Sequence, residues 1–437
     1  MSLRSLPPFS AEQPDTVFAL SSGRPPAAIS IIRISGPHAH LAGEQLAGEL
    51  PAVRTAAVRR LTDPASGELL DEALILRFDA PHSATGEDIV ELQCHGGRAV
   101  VDVLLGCLAA QRRLRPAEPG EFTRRAFANG RIDLTQAEGL ADLIEAETEL
   151  QRKAALRVAE GGLRERIEQW RERLVELSAR AERLIDYVDE EDDEGDPTLR
   201  GDCAEFRADL EEWLCRPPAE PLKDGVSIVV AGPPNSGKSS LVNAIAGYER
   251  AIVSPVPGTT RDHIELPLAL GGLPVVLTDT AGLRDTEDEV EAIGVGRASA
   301  LAASADILLW LGDDPAPDHP RAVLVHARAD LPEREIVPEG RTVVSAVDGT
   351  GLTELLADLT STVAAMMPGE DQIALNRRQA MHLALAVNSI AEAECSADLA
   401  VLADGLRLAR SEFDRISGRL GVEDVLDTLF NRFCLGK

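Results

Sequence analysis

Several patterns are missing from this chain, and one residue type is scarce. None of its six cysteines (Cys94, Cys107, Cys203, Cys215, Cys395 and Cys434) belongs to a C-x-x-C pair. That argues against a zinc site and a disulfide framework, and fits a reducing cytoplasm. No uninterrupted apolar run approaches the roughly 18 residues of a membrane span, so no membrane partner is expected. The first residues, Met1 to Pro8, lack the apolar core and cleavage site of a signal peptide. Positive charge is in deficit: 44 basic residues face 73 acidic ones, for a net charge of −29. Such a balance disfavours non-specific adhesion to DNA, RNA or anionic membrane. A nucleic-acid partner then needs a local basic face, for which Arg112, Arg113, Arg115, Arg124 and Arg125 are candidates; solvated surface arginines are the simpler reading. The acidic run from Asp186 to Asp196 reads as a solvated helix end and loop. Only four of the 44 basic residues are lysines.

One of those lysines sits where a compact ammonium is required and a planar guanidinium fits badly. It lies in Gly232-Pro233-Pro234-Asn235-Ser236-Gly237-Lys238-Ser239, after the apolar run Val226–Ala231 and before the helix-like segment Ser240–Ile245. Strand, glycine loop and helix are the context in which G-x-x-x-x-G-K-[ST] carries chemistry. The glycines let backbone N–H groups, including those around Ser236, Gly237 and Ser240, face phosphate oxygens at a helix N-terminus. Lys238 then reaches the β- and γ-phosphates, and Ser239 ligates magnesium.

The length, 437 residues with 44% hydrophobic content, allows two or three domains with separate cores. Residues 1–125 read as mixed α/β, with strands at Thr16–Leu20, Ile29–Ile34 and Asp88–His95. From about Asp133 to Tyr187 the pattern is helical, with apolar spacings such as Leu163, Ile167, Trp170, Leu174 and Leu177. A second helical stretch runs from about Phe206 to Leu214. Residues 222–366 alternate strands and helices, with strands at Val275–Thr278, Ile307–Leu311, Ala322–Val325 and Thr342–Val344, which predicts a mostly parallel sheet. After Pro368-Gly369 the chain is helical again, with Met381/Leu385 and Leu383/Val387/Ile390 at core-facing spacings. A nucleotide-binding domain inserted into a helical one explains this order; two separate helical domains are equally compatible. Cys94 and His95 resemble a dyad but point to opposite faces of a strand.

Four further motifs follow the loop in the order of a GTPase. Gly258-Thr259-Thr260-Arg261-Asp262 reads as a switch segment whose hydroxyl, on Thr260, completes magnesium coordination. In Asp279-Thr280-Ala281-Gly282, Asp279 is placed to hold magnesium through water, and the Gly282 N–H meets the γ-phosphate. Asp330 accepts from the guanine ring and amino nitrogens. Ser345-Ala346 approaches the guanine oxygen through backbone N–H. The guanine-specifying N-K-x-D departs from pattern, reading Ala327-Arg328-Ala329-Asp330. Ala327 supplies no amide to the base or the phosphate loop, while the Arg328 stem covers the base face. The expectation is weaker GTP binding with guanine preference kept.

The motifs closely resemble one family, the tRNA-modification GTPase family MnmE, also called TrmE. Its G-x-P-N-x-G-K-S-S loop is matched by Gly232–Ser240, G-T-T-R-D by Gly258–Asp262, and D-T-A-G-L-R with D-E-V-E by Asp279–Arg284 and Asp288–Glu291. Ile32–Gly36, Thr85–Asp88 with His95-Gly96-Gly97, and Pro119–Thr123 resemble its N-terminal domain. Asn129–Glu138 matches the start of its helical domain. The ending Phe433-Cys434-Leu435-Gly436-Lys437 is close to the family's F-C-I-G-K.

The resemblance implies a multidomain α/β and all-α protein. Its N-terminal α+β folate-binding and dimerisation domain spans 1–128, and its helical domain spans 129–220 and 369–437. A Ras-like P-loop GTPase domain is inserted at 221–368. It implies a homodimer that binds 5-formyl- or 5,10-methylene-tetrahydrofolate. It implies an FAD-binding partner, MnmG, with which an aminomethyl or carboxymethylaminomethyl group is added to the wobble uridine of certain tRNAs. Folate contacts fall on Arg33, Glu91, Arg131 and Lys437, where Arg33 and Lys437 suit an anionic glutamyl tail. In the glycine-rich family segment before Arg33 this chain has Pro25-Pro26-Ala27-Ala28.

The family's G domain also resembles potassium-activated GTPases. That likeness places potassium on Asn235 with oxygens near Ser254, Val256 and Thr259, where the cation neutralises developing charge. After Asp279–Gly282 comes Leu283 rather than a water-orienting glutamine; the family's glutamate farther along maps to Glu291. Cys434, beside Gly436 and Lys437, is a candidate for the modification chemistry rather than for hydrolysis. Two alternatives stay open: a ribosome-assembly or signalling GTPase switch without modification chemistry, and a scaffold that binds nucleotide without hydrolysing it.

Overall fold

The computed structural model describes residues 15–186, 196–248, 264–280, 299–369, 371–421, 423–433 and 436. They form two compact units, one of residues 1–141 with 417–437 and one of residues 142–416.

The first unit is built on a six-stranded sheet of β1 (Thr16–Leu20), β2 (Ile29–Ser35), β3 (Ala57–Thr62), β4 (Leu69–Phe78), β5 (Ile89–His95) and β6 (Leu114–Pro116), in the order β3-β4-β5-β2-β1-β6. Only β1–β6 is a parallel pair. Alternation along the strands sends Phe18, Ile32, Ile34, Ile75 and Leu92 to one face, where helices Ala39–Ala47 and Arg98–Ala109 cover them. The other face carries Val17, Ala19 and, from helix Glu121–Ala128, Phe122. Cys94 is buried while His95 is exposed, as the alternation requires. After Pro25-Pro26, the Ala27 N–H donates to the Gly96 carbonyl at 3.0 Å, so this segment is joined to the end of β5.

The proposed basic face does not form from Arg115 and Arg125. Arg125 is buried and donates to the carboxylates of Asp15, Glu87 and Glu121 at 2.8–3.2 Å. Arg115 pairs with Asp15 and with Glu121. Arg124 donates to Asp427 at 2.9 Å, and Arg113 faces His38 at 3.3 Å. A net negative chain surrounds its arginines with carboxylates, and Arg115, Arg124 and Arg125 follow that rule rather than the rule of a nucleic-acid stripe.

Burial pushes the Asp15 and Glu121 carboxyls up, but hydrogen bonds and charge from Arg115 and Arg125 outweigh it and hold both below the usual carboxylate range. A depressed folded value means that the network contributes stability above the unfolded pKa, near 4 to 4.3, and loses it as pH falls further. Arg125→Ala leaves Glu121 buried with less compensation and is expected to cost about 3–5 kcal/mol. Urea unfolding across the acid range checks both points: the wild type weakens below about pH 4, and the variant shows a shallower acid slope.

Among its described residues the second unit holds two large cores and a smaller cluster of Val229, Ala231, Ala302 and Leu308. Helices Gly162–Asp186, Leu199–Leu214, Arg377–Glu394 and Leu399–Ser417 bury Leu163, Trp170, Phe206, Leu383, Ile390 and Phe413 among themselves. Leu383, Val387 and Ile390 are core residues as predicted, but Met381 and Leu385 are about half exposed. Two residues of offset is a rotation of about 200° on a helix, so both sets cannot face one core. The other core belongs to β7 (Val226–Ala231), β8 (Ile264–Leu270), β9 (Leu273–Asp279), β10 (Ile307–Trp310), β11 (Ala322–Ala327) and β12 (Thr342–Val344). Their order is β12-β11-β10-β7-β9-β8, parallel except for the edge strand β8, so the sheet is mostly parallel as expected.

Candidate functional site

Strand β7 is buried on both faces, and the chain leaves it at Ala231 into the glycine loop. The loop returns through two left-handed residues, Asn235 at φ 59° and Gly237 at φ 97°, into the helix Lys238–Tyr248. A Cβ on Gly237 would lie 3.2 Å from the Arg328 Cγ, so glycine answers both the backbone angle and the close approach. Lys238 is buried, and its Nζ donates to the carbonyls of Gly232 and Pro233 at 3.1 and 2.9 Å. A cavity of about 620 Å³ opens over this loop, lined by Asn235, Lys238, Ser239, Ala327, Arg328 and Asp330 among others. That volume suits a nucleotide.

Three strands deliver the remaining groups at their C-terminal ends, where parallel sheets bind ligands. From β9, Asp279 accepts from Ser239 Oγ at 2.7 Å, and Thr280 Oγ1 donates to the Val230 carbonyl at 2.9 Å. A hydroxyl and a carboxylate that close together form a hard oxygen pair, and these residues fit magnesium. After β11, Arg328 Nη1 donates to the Asn235 carbonyl at 2.9 Å. The guanidinium therefore reaches the phosphate loop, in addition to the stem lining the cavity. After β12, the buried Ser345 donates Oγ–H to Asp330 Oδ1 at 2.9 Å. Ser345 Oγ itself accepts the N–H groups of Val347 and Asp348 at 3.2 and 3.3 Å, which fixes the hydroxyl that holds the Asp330 carboxylate at a cavity also lined by Ala346. Ser236 and Ser240 flank Lys238 in the loop and helix. Ser254, Val256, Thr259, Thr260, Ala281, Gly282 and Glu291 lie outside the described residues.

In the first unit, Arg33 and Glu91 are register partners on β2 and β5. Arg33 Nε and Nη2 both meet Glu91 Oε1, at 2.9 and 2.8 Å, and the guanidinium lies 5.5 Å from the Phe122 ring centroid. Arg33 is thus paired with Glu91, so the two residues form one polar unit on the sheet. Phe122 escaped the sequence reading as a contact, although Pro119–Thr123 had marked its segment. Arg131 is exposed and lies against Gly86, in the loop whose Thr85 carbonyl accepts from Asn129 at 2.8 Å. Cys434 and Lys437 lie outside the described residues. Their neighbour Gly436, at φ 95°, passes so close to β1 that a Cβ there would lie 2.0 Å from the Leu20 carbonyl oxygen.

Known proteins match this chain over nearly its whole length. The family model described as the GTP-binding protein TrmE N-terminus matches residues 16–131, and that described as the MnmE helical domain matches residues 134–434. The tRNA modification GTPase MnmE of Erythrobacter litoralis is 51% identical over 97% of this chain and 100% of its own length. The protein of the same name from Rhizorhabdus wittichii is 50% identical over 98% of each chain. Among solved structures, the G domain of the T. maritima FeoB iron transporter aligns with 32% of this chain and 98% of its own, at 24% identity and a TM-score of 0.23.

Proposed function

The chain belongs to the MnmE (TrmE) family of tRNA modification GTPases, and from that premise we propose that it hydrolyses GTP to drive modification of the tRNA wobble uridine. The observation that carries this reading is the convergence of Lys238, Ser239 and Asp330 on one cavity, with Asp279 hydrogen-bonded to Ser239 beside it. With the FAD-binding partner MnmG, the chain adds an aminomethyl or carboxymethylaminomethyl group at the 5-position. A ribosome-assembly or signalling switch needs no N-terminal domain of this kind, and that alternative is set aside.

The residues divide the work. Lys238 exchanges two neutral carbonyl partners for phosphate oxygens, and the backbone N–H groups from Asn235 to Ser240 face the same anions. Ser239 and Thr260 would hold magnesium, with Asp279 acting through water, and the ion would supply charge neutralisation at the phosphates. Asp330 accepts from guanine N–H groups, and the Ala346 N–H approaches the guanine oxygen. Glu291 orients the attacking water. Asn235, with Ser254, Val256 and Thr259, would hold potassium, which would supply the charge neutralisation of an arginine finger.

In the first unit, Arg33, Glu91, Arg131 and Lys437 take a tetrahydrofolate, with Phe122 supplying an aromatic wall beside Arg33. Cys434 joins the modification chemistry there. We divide the chain into an N-terminal domain at 1–128, a helical domain at 129–220 and 369–437, and a G domain at 221–368; the cores around Phe18, Phe413 and Val230 support three bodies, while residues 129–141 and 417–437 fall in the compact unit of the N-terminal sheet. Helix Leu134–Glu145 and the segment 425–433 share a smaller core that Phe127 and Ile132 also join. The chain acts as a homodimer in the cytoplasm; among the described residues no helix is long and apolar enough to cross a membrane.

Steady-state GTP turnover in matched potassium and sodium buffers tests the cation assignment. The expected result is a rate about tenfold or more higher in potassium, with the difference abolished by Asn235→Ala. Equal rates in the two salts contradict it.

A further inference from the structure

The turn that presents Asp330 starts at Ala327, whose side chain offers no hydrogen bond to the phosphate loop. It also contains Arg328 at φ 61°, a left-handed angle that an L residue keeps only when its surroundings enforce it. Arg328 ties the turn inward, to the Asn235 carbonyl. A second arginine ties it from the opposite direction. Arg334 Nε donates to the Ala327 carbonyl at 3.1 Å. Its Nη2 donates to Asp313 Oδ1 at 3.1 Å, and its Nη1 to Asp313 Oδ2, a planar fork that lysine cannot reproduce.

The cluster is held in turn by its neighbours. His326, fully buried on β11, meets the Arg334 carbonyl through Nε2 at 2.9 Å and Arg334 Nη2 through Nδ1 at 3.0 Å. The Nε2–H tautomer satisfies both contacts, donating to the carbonyl and accepting from the guanidinium. Arg341 Nη2 donates to the carbonyls of Asp313 and Asp314, each at 3.0 Å, and so fixes the loop carrying the carboxylate. The Arg334 charge holds the Asp313 carboxyl below its usual range, so the fork stays ionic near neutrality.

We propose that Arg334 is a positioning residue for nucleotide binding, clamping the Ala327 carbonyl with Asp313 and His326 and anchoring from outside a turn that lacks an amide at position 327. The inference rests on reading the cavity as a guanine-nucleotide site. Arg334 has no place in the phosphate machinery, so its loss acts on nucleotide retention and leaves the chemical step alone.

A double-mutant cycle in the full chain tests this, using release of a fluorescent GDP analogue with GTP kcat and KM. Arg334→Ala is expected to speed release and raise KM about tenfold, with kcat at saturation held within about twofold. Ala327→Asn places an amide facing the loop, and in that background the same substitution is expected to cost less than about threefold. Asp313→Asn, which keeps Arg334 but weakens its fork, gives an intermediate effect. Circular dichroism melts establish folding, and Arg334→Lys serves in place of Arg334→Ala if the latter does not fold. Unchanged KM and release, an equal penalty in both backgrounds, or a fallen kcat at unchanged KM overturns the proposal. A wild-type chain that binds no guanine nucleotide overturns the site reading and this inference together.

Discussion

Lys238→Ala is expected to lower kcat/KM for GTP about a thousandfold or more while leaving the fold intact. The expectation follows from where the ammonium sits. Lys238 is buried at the start of a helix, under a loop whose carbonyls already accept from Nζ at 3.1 and 2.9 Å. It is one of four lysines in the chain, so other lysines cannot readily take over its charge. A substituted alanine removes the point charge facing the β- and γ-phosphates, where negative charge spreads in the transition state. Lys238→Arg is expected to rescue little, because a planar fork does not fit the space of a compact ammonium. Single-turnover hydrolysis with saturating enzyme separates lost chemistry from lost binding. A variant within about tenfold of wild type contradicts the role.

Asp330→Asn is the second large effect, and it changes selectivity rather than chemistry. Two guanine N–H donors facing one carboxylate make a paired contact; an amide turned the same way presents a donor to a donor. GTP affinity is expected to fall about a hundredfold or more. Xanthosine triphosphate, with an oxygen in place of the amino group, is expected to gain relative to GTP, since the new amide N–H then has an acceptor. Ser345 still donates to the remaining side-chain oxygen, so orientation survives the change. Competition of GTP, xanthosine triphosphate and ATP against a fluorescent nucleotide measures the order directly. An unchanged order of the three contradicts the assignment of Asp330.

Much of this site was legible in the sequence because its signals are local. Strand, glycine loop and helix lie within about twenty consecutive residues, and Asp279, Asp330 and Ser345 each stand just at or beyond a strand end. Contacts across long separations were not legible. Arg125 meets carboxylates 38 and 110 residues away, and no periodicity distinguishes such an arginine from a solvated one. Arg328, at φ 61°, reaches the carbonyl of Asn235, 93 residues earlier, a contact that no local pattern announces. Met381 and Leu385 show the reverse failure: a true helical spacing on the wrong face. The pairing of Arg33 with Glu91 likewise arrives only through the β2–β5 register, which no local pattern carries.

The account ties GTP hydrolysis at one cavity to a chemical change in tRNA, and nucleoside mass spectrometry of bulk tRNA tests that link most directly. A strain deleted for this chain is complemented with the wild type or with Lys238→Ala. The 5-substituted wobble uridine is predicted to vanish on deletion, to return with the wild type, and to stay absent with Lys238→Ala. Unchanged wobble uridine in the deleted strain, or full restoration by Lys238→Ala, would contradict the account.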